Sequence, residues 1–403
     1  MTALSLFAVL LGLAACLSAV PAVVLLIEVF VAVAKGPLRL AWRGDDDVPG
    51  RGRIAVLIPA HDEALGISRT IASVSAQLSP GDRLLVVADN CKDLTASVAR
   101  AAGASVVERH DPVRRGKAYA LDFGVRQLHA DPPDCVIIVD ADCRLVPGSI
   151  DHLAFACART RRPAQALNLC QVPDGVTRVG ARFAQFAFVV KNQVRPRGLA
   201  WLGVPCALTG TGMAFPWDLL AETPLASDDL AEDMMLGSHL VARGLGPVFV
   251  ESARVDSDFP SSVEGEQSQR RRWVHGHLQT LLQRVPRLIL GAFVHGRPMQ
   301  LAHALDLAVP PLAMLLMLQL MLAASAGVLA VVGGSVVPLA WATFAIASTM
   351  LAVLVAWWRF GRDLLSGAML WMAPVYMLRK VPLLLGFLFA RQVGWQRTRR
   401  DGE

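Results

Sequence analysis

Val136-Ile137-Ile138-Val139-Asp140-Ala141-Asp142 is a short apolar run that empties into two carboxylates. The run reads as the end of a buried strand over 135–139, bounded by polar residues. Two acids spaced D-x-D at a strand exit can grip one divalent cation together with a diphosphate. Mg2+ and Mn2+ prefer hard oxygen ligands and keep positions for water and phosphate. The same spacing also occurs in a simple turn, so the neighbouring segments have to decide.

Upstream, residues 54–58, 84–88 and 105–107 are further apolar strand candidates, and 67–76, 94–101 and 118–128 read as helices between them. Strand–helix alternation with strands apolar on both faces predicts a parallel α/β sheet. In such sheets ligands bind at the carboxyl ends of the strands. Two more strand exits are acidic here: Pro59-Ala60-His61-Asp62-Glu63 and Ala88-Asp89-Asn90-Cys91-Lys92-Asp93. One acidic exit is explained by a helix N-cap; three on one sheet edge predict a site. His61 alone reads as structural.

Further along, Gly116-Lys117 opens a helix and suits a phosphate contact, although a solvated loop charge accounts for it equally well. It lacks the P-loop pattern, so no nucleotide hydrolase is implied. Thr209-Gly210-Thr211-Gly212-Met213 is a polar, glycine-rich turn that lets a backbone approach an acceptor closely, or is an ordinary tight turn. Asp228-Asp229-Leu230-Ala231-Glu232-Asp233 reads as the acidic start of a helix, where the dipole favours carboxylates, and a carboxylate there can serve as general base if it reaches the pocket. Gln269-Arg270-Arg271-Arg272-Trp273 places three arginines beside a large aromatic, about thirty residues before a strongly apolar stretch. Three arginines are not buried without anions to pair with. The pentad reads as a clamp for a diphosphate at a lipid surface, or as the positive flank of a membrane span.

The chain has 403 residues, 54% of them hydrophobic, and a net charge of +6. Its mean hydropathy is +0.45 and its pI about 9.2. That is too apolar for an ordinary soluble protein and points to membrane spans. The basic balance fits anionic lipid or a phosphorylated substrate. Nucleic acid is not expected, for lack of a basic recognition helix, zinc-finger spacing or an aromatic-studded strand. The 7 cysteines are scattered without C-x-x-C pairs, which fits reduced thiols and not a disulfide framework or zinc site.

Residues 3–34 are nearly all apolar, with Glu28 the one charge, and exceed the h-region of a cleaved signal. They predict a retained span within a 1–35 segment, with Glu28 near the inner interface. Lys35, Arg39, Arg43, Arg51 and Arg53 follow, which puts the N-terminus outside and the next domain in the cytosol. Two more spans are expected at 307–332 and 338–358, joined by the uncharged Gly333-Gly334-Ser335. The expected organisation is a 36–300 catalytic domain with interfacial helices, two spans within 301–360, and a 361–403 segment. Its stretch 366–390 reads as re-entrant or interfacial, leaving the basic tail 397–400 inside.

In this order, Pro59 to Glu63, Asp89-Asn90, Gly116-Lys117, Asp140-x-Asp142, Glu232-Asp233 and Gln269-x-x-Arg272-Trp273 resemble the membrane-bound family-2 glycosyltransferases. That group includes synthases of cellulose, hyaluronan and poly-N-acetylglucosamine, and ceramide glucosyltransferase. The likeness spans residues 54–273. The step Ala88 to Cys91, the Gly-Thr-Gly-Met loop and the tail Trp395 to Asp401 are most similar to bacterial exopolysaccharide-locus enzymes.

The resemblance implies a GT-A, Rossmann-like α/β fold with flanking transmembrane and interfacial helices. It also implies a nucleotide-sugar donor, UDP-linked by family habit, and inversion at the anomeric carbon. It places Pro59, Glu63, Asp89, Lys117, Asp140, Asp142 and Arg272 at the donor, and Mg2+ or Mn2+ on Asp142 and Asp140. Asp233 is then the base, and Gly210, Thr211, Gly212, Glu232, Gln269 and Trp273 lie toward the acceptor. The implied setting is the cytosolic face of a bacterial inner membrane, with a lipid-linked or polysaccharide acceptor and polysaccharide-export partners. A ceramide- or lipid-headgroup transferase is the alternative, and a non-catalytic scaffold a third reading. With so few spans to enclose a polymer channel, addition of one or a few sugars stands beside polymer synthesis.

Overall fold

The computed structural model describes residues 3–38, 50–173, 178–229, 231–260 and 263–378. The chain divides into two compact units: Pro37–Asp174 with Pro205–Gly276, and Met1–Gly36 with Gly175–Val204 and His277–Gln392. Gly175–Val204 lies inside the expected 36–300 domain, yet it clusters with the apolar helices.

The α/β unit is one eight-stranded sheet. Its strands are β1 (Ile54–Ala60), β2 (Arg83–Asp89), β3 (Ser105–Arg109), β4 (Cys135–Ile138), β5 (Arg144–Leu145), β6 (Ala164–Gln171), β7 (Met213–Pro216) and β8 (Val248–Asp258). They lie in the order β3-β2-β1-β4-β7-β6-β8-β5. β3, β2, β1 and β4 run parallel, as their apolar runs predict. The remainder corrects the parallel expectation: β7 is antiparallel to both β4 and β6, and β5 to β8, so the sheet is mixed.

Alternate residues of β1 enter different cores. Ile54, Val56 and Ile58 pack with Ile71 and Leu153 on one face. Ala55 and Leu57 pack with Val87, Leu121 and Leu128 on the other. Burial on both faces is why the strand is a continuous apolar run. Gly124 lets the helix Lys117–Leu128 lie close, since a Cβ there would come 2.5 Å from Leu57 Cδ1. The chain passes from β1 outward through β2 to β3 and then returns to β4 on the other side of β1. That reversal leaves a crevice at the carboxyl ends of β1 and β4.

In the second unit, three helices among the described residues are long and apolar enough to cross a membrane, Leu4–Lys35, Leu312–Val331 and Val337–Gly361, which supports membrane association. The second starts at Leu312, later than the sequence suggests, because Pro310 and Pro311 separate it from the helix Pro298–Leu307. Small residues Ala15, Ala326 and Ala342 pack among Leu11, Leu322 and Leu329. Of the stretch 366–390, the described part forms two short helices, Gly367–Leu370 and Ala373–Leu378. The rest of it, the basic tail, Arg39 and Arg43 lie outside the described residues.

Glu28 is buried within the helical unit. It is 2% exposed and accepts from Arg195 Nε at 2.7 Å; Arg195, 8% exposed, also pairs with Asp306, itself 5% exposed. Pairing offsets the desolvation that an isolated buried carboxylate would suffer. Gly198 makes the approach feasible: a Cβ there would fall 2.1 Å from the Glu28 carbonyl oxygen.

Candidate active site

Three loops leave the sheet at the crevice. After β1, Asp62 takes a positive φ of 53°, and after β2, Asn90 takes 52°, a conformation that Asn and Asp tolerate best among residues with a Cβ. Asn90 then works twice: its Nδ2 donates to Asp89 Oδ1 at 3.0 Å, and its Oδ1 accepts from Asp111 N at 2.9 Å. Arg109 Nη1 donates to the same Asp89 oxygen at 2.6 Å. Asp89 is thus a buried, ion-paired carboxylate with a fixed orientation. His61 Nδ1 lies 2.6 Å from the Asp89 carbonyl oxygen, which fits its structural reading.

After β4, Asp140 is held from two sides. Its backbone N–H donates to Thr211 Oγ1 at 3.1 Å, and its carboxylate pairs with Lys117. Lys117 Nζ also donates to the Gly210 carbonyl at 2.6 Å. Burial works against the Lys117 ammonium, but Asp140, Glu232 and Asp233 outweigh it and raise its pKa above the ordinary lysine range. Lys117 is therefore a fixed cation among carboxylates, not a solvated loop charge. Burial likewise pushes the Asp140 carboxyl up; Lys117 pulls it down and the neighbouring Asp142 adds to the rise.

Carboxylate oxygens of Asp140 and Asp142 and the Sγ of Cys143 lie within 4.8 Å of one another. Burial, then the charges of Asp142 and Asp140, push the Cys143 thiol well above its usual range. The two carboxylates are hard oxygen donors, the kind that Mg2+ or Mn2+ prefers.

Glu232 and Asp233 form the first turn of the helix Glu232–Ala242, where carboxylates suit the dipole. Asp228 and Asp229 precede that helix, which corrects their expected place at its start, and Leu230 lies outside the described residues. Asp228 instead accepts from the Tyr119 hydroxyl at 2.8 Å, and Asp229 accepts from Ser227 Oγ at 2.8 Å. Burial, followed by the Asp233 charge, pushes the Glu232 carboxyl up to about 7. Asp233 lies beside the Lys117–Gly210 contact: a Cβ on Gly210 would come 3.3 Å from Asp233 Oδ2 and 3.4 Å from Lys117 Nζ.

Gln269 and Arg272 are one helical turn apart on Val263–Gln283 and share a face. Both line a cleft of about 940 Å³ whose wall also includes Pro59, Glu63, Asp89, Lys117, Asp140 and Asp142. The structure thus brings the predicted donor-side residues to one cavity. Gly210, Thr211, Glu232 and Asp233 sit around Lys117 and Asp140. Gly212 has a packing role, since its φ is +63° and a Cβ would come 2.7 Å from Val255 Cγ2. Trp273 is 38% exposed and meets Phe259, a cleft residue, edge-on at 6.4 Å. Arg271 is exposed, and the side chain of Arg270 lies outside the described ones.

Sequence reasoning missed Arg109, whose partner is twenty residues away, and the fork in which Arg144 reaches both oxygens of Asp258 at 2.9 and 3.0 Å on the cleft rim. A basic residue closing β3 beside an acidic β2 exit was the available signal for the first.

A doubly buried sheet with acids, a lysine and an arginine gathered over its switch point agrees with the GT-A fold class expected from the motifs. Residues 49–276 match the family described as glycosyltransferase like family 2, and the chain belongs to that family. It is 23% identical over 256 residues to "Probable glycosyltransferase YdaM" of Bacillus subtilis (strain 168), across 60% of this chain and 59% of that one. It is 24% identical over 255 residues to "Glucomannan 4-beta-mannosyltransferase 7" of Arabidopsis thaliana, across 59% of this chain and 44% of that one. The match thus spans about half the length of these curated relatives. Among solved structures, a mannosyltransferase from Pyrobaculum calidifontis, in complex with GDP-Man and Mn2+, is similar at 21% identity and a TM-score of 0.49, over 89% of this chain and 99% of that one.

Proposed function

We propose that the protein is an inverting glycosyltransferase. It moves a sugar from a nucleotide-sugar, by preference a UDP-sugar, to a lipid-linked or polysaccharide acceptor at the cytosolic face of a bacterial inner membrane, in exopolysaccharide biosynthesis. The observation that carries this reading is the convergence of Asp89, Lys117, Asp140, Asp142 and Arg272 on one cleft. Such a set matches a nucleoside diphosphate: acids for ribose or base and for a cation, and positive charge for phosphate.

In this reading Asp89, oriented by Arg109, receives the uracil or ribose, with Pro59 and Glu63 beside it. Asp142 and Asp140 hold Mg2+ or Mn2+, which when bound supplies positive charge to the diphosphate. Arg272 faces the leaving diphosphate, and charge stabilisation there speeds departure. Lys117 pairs with Asp140 and holds it in place. Asp233 removes the proton from the acceptor hydroxyl as that oxygen attacks the anomeric carbon. Glu232, beside Asp233, is pushed up to about 7 by burial and by the Asp233 charge. Gln269 and Trp273 flank the acceptor, Trp273 offering a stacking face. The three apolar helices and the positive charge at Lys35 support a membrane setting with the catalytic unit inside.

The test is a panel of radiolabelled nucleotide-sugars incubated with membranes holding the full chain, with products analysed by mass spectrometry. Polymer or a glycosylated lipid carrier supports the reading; a finished glycolipid would replace it with a lipid-headgroup transferase; no product from any donor would overturn it.

A further inference from the structure

Gln165, the second residue of β6, is 2% exposed and ties its own strand to one loop through its side-chain amide. Its Nε2 donates to the carbonyls of Ala166 and Thr211, each at 2.9 Å, and its Oε1 accepts from Thr209 N at 2.9 Å. Ala166 N donates to the Gly212 carbonyl at 2.8 Å, so the loop is stitched to β6 at both ends. Asn168 Nδ2 adds longer contacts of 3.4 and 3.3 Å to the Thr209 carbonyl and hydroxyl. A buried primary amide with both protons and its oxygen engaged has a single orientation, and it fixes the orientation of what it binds.

The loop so held is the one that touches the proposed catalytic groups. Thr211 Oγ1 receives the Asp140 N–H, and the Gly210 carbonyl receives Lys117 Nζ. Gly210 also abuts Asp233, as the space around its α-carbon shows. One side chain therefore sets, at one remove, a residue assigned to the donor, its counter-ion and the residue assigned as base.

We propose that Gln165 is a positioning residue for glycosyl transfer: through the Thr209–Gly212 loop it keeps Asp140, Lys117 and Asp233 in mutual register. It touches no reacting atom. Reacting groups displaced by about 1 Å lose on the order of 10²-fold in rate. The inference rests on the transferase reading above.

The experiment uses the full chain in nanodiscs with Mn2+ and whichever nucleotide-sugar the panel identifies. Gln165→Met keeps the length and removes every hydrogen bond; Gln165→Glu keeps the acceptor for Thr209 N and removes the donations, and is read if Gln165→Met does not fold. Turnover is expressed per folded molecule, well below each variant's melting temperature, and each variant is combined with Thr211→Val. The expected result is a fall in kcat of about 10- to 100-fold, with the double variant losing little more than the worse single one, because both act on Asp140 through the same loop. A lower melting temperature with kcat per folded molecule unchanged would reduce Gln165 to a structural residue and overturn the proposal, as would losses that multiply in the double variant. Wild-type protein inert with every donor would instead remove the transferase reading, and this inference with it.

Discussion

Lys117, at the first turn of its helix, forms an ion pair with Asp140 at the exit of β4, and the same ammonium donates to the Gly210 carbonyl. Two segments widely separated in sequence are thereby pinned at the mouth of the cleft. Replacing Lys117 with Met leaves Asp140 partly buried without its counter-charge. The expected cost is about 1–3 kcal/mol of stability, less than for a fully buried pair because both side chains keep some solvent contact. Nucleotide binding should weaken as well. Denaturant unfolding and calorimetry with UDP check this; a variant as stable and as tight-binding as wild type would deny the pair its role.

Asp142→Ala removes a hard oxygen donor proposed for the divalent cation. UDP binding that depends on Mn2+ should disappear in calorimetry, leaving only weak cation-independent binding. Affinity unchanged by the substitution would remove Asp142 from the ligand set.

The raised Glu232 carboxyl, about 7 in the fold, sets the sign of a pH effect. A carboxyl whose pKa is higher folded than unfolded favours the fold fully below its unfolded value, near 4.5, and that contribution is lost as pH rises through the folded value. In metal-free protein, the stability advantage of wild type over Glu232→Gln should therefore decline between pH 4.5 and 7.5. Melting curves of the two proteins across that window test it; a gap that widens with pH would reverse the assignment.

Much of this was legible from residue order. β1, β2 and β4 announce themselves because both faces are buried, and the acids at their ends stand out against apolar runs. The antiparallel pairings of the sheet were not legible: β5 has two residues and β7 four, too short for a period, and their partners lie far off in sequence. The donor side of the site could be read because its residues sit at strand ends. The Gln165 brace could not, since an amide in an apolar strand gives no sign of which backbone it binds. Arg195 was likewise silent, its partners being 167 and 111 residues away.

Those partners make Arg195 the keystone of the helical unit. Arg195→Met strands Glu28 and Asp306 as buried carboxylates, and losses of about 3–5 kcal/mol are typical when one partner of such a set is removed. Adding Glu28→Gln and Asp306→Asn should recover part of the loss. Thermal unfolding in detergent, followed by size-exclusion chromatography, measures both steps; no recovery in the triple variant would contradict the account of these charges.

The arginine run should divide its labour. Arg272 lines the cleft whereas Arg271 is exposed. Arg272→Lys should cost far more turnover than Arg271→Lys, because a lysine cannot reproduce a guanidinium's two-pronged grip on a diphosphate. Equal losses in a side-by-side rate assay would return the pentad to a topology signal.

The most direct measurement is the rate of sugar transfer from the preferred nucleotide-sugar by wild type and Asp233→Asn in identical nanodiscs, with UDP affinity measured on the same samples. The account predicts that Asp233→Asn loses about 10²- to 10⁴-fold in kcat, the range a general base contributes, while UDP affinity holds. Transfer by the variant at the wild-type rate, or no transfer by wild type from any nucleotide-sugar, would contradict it.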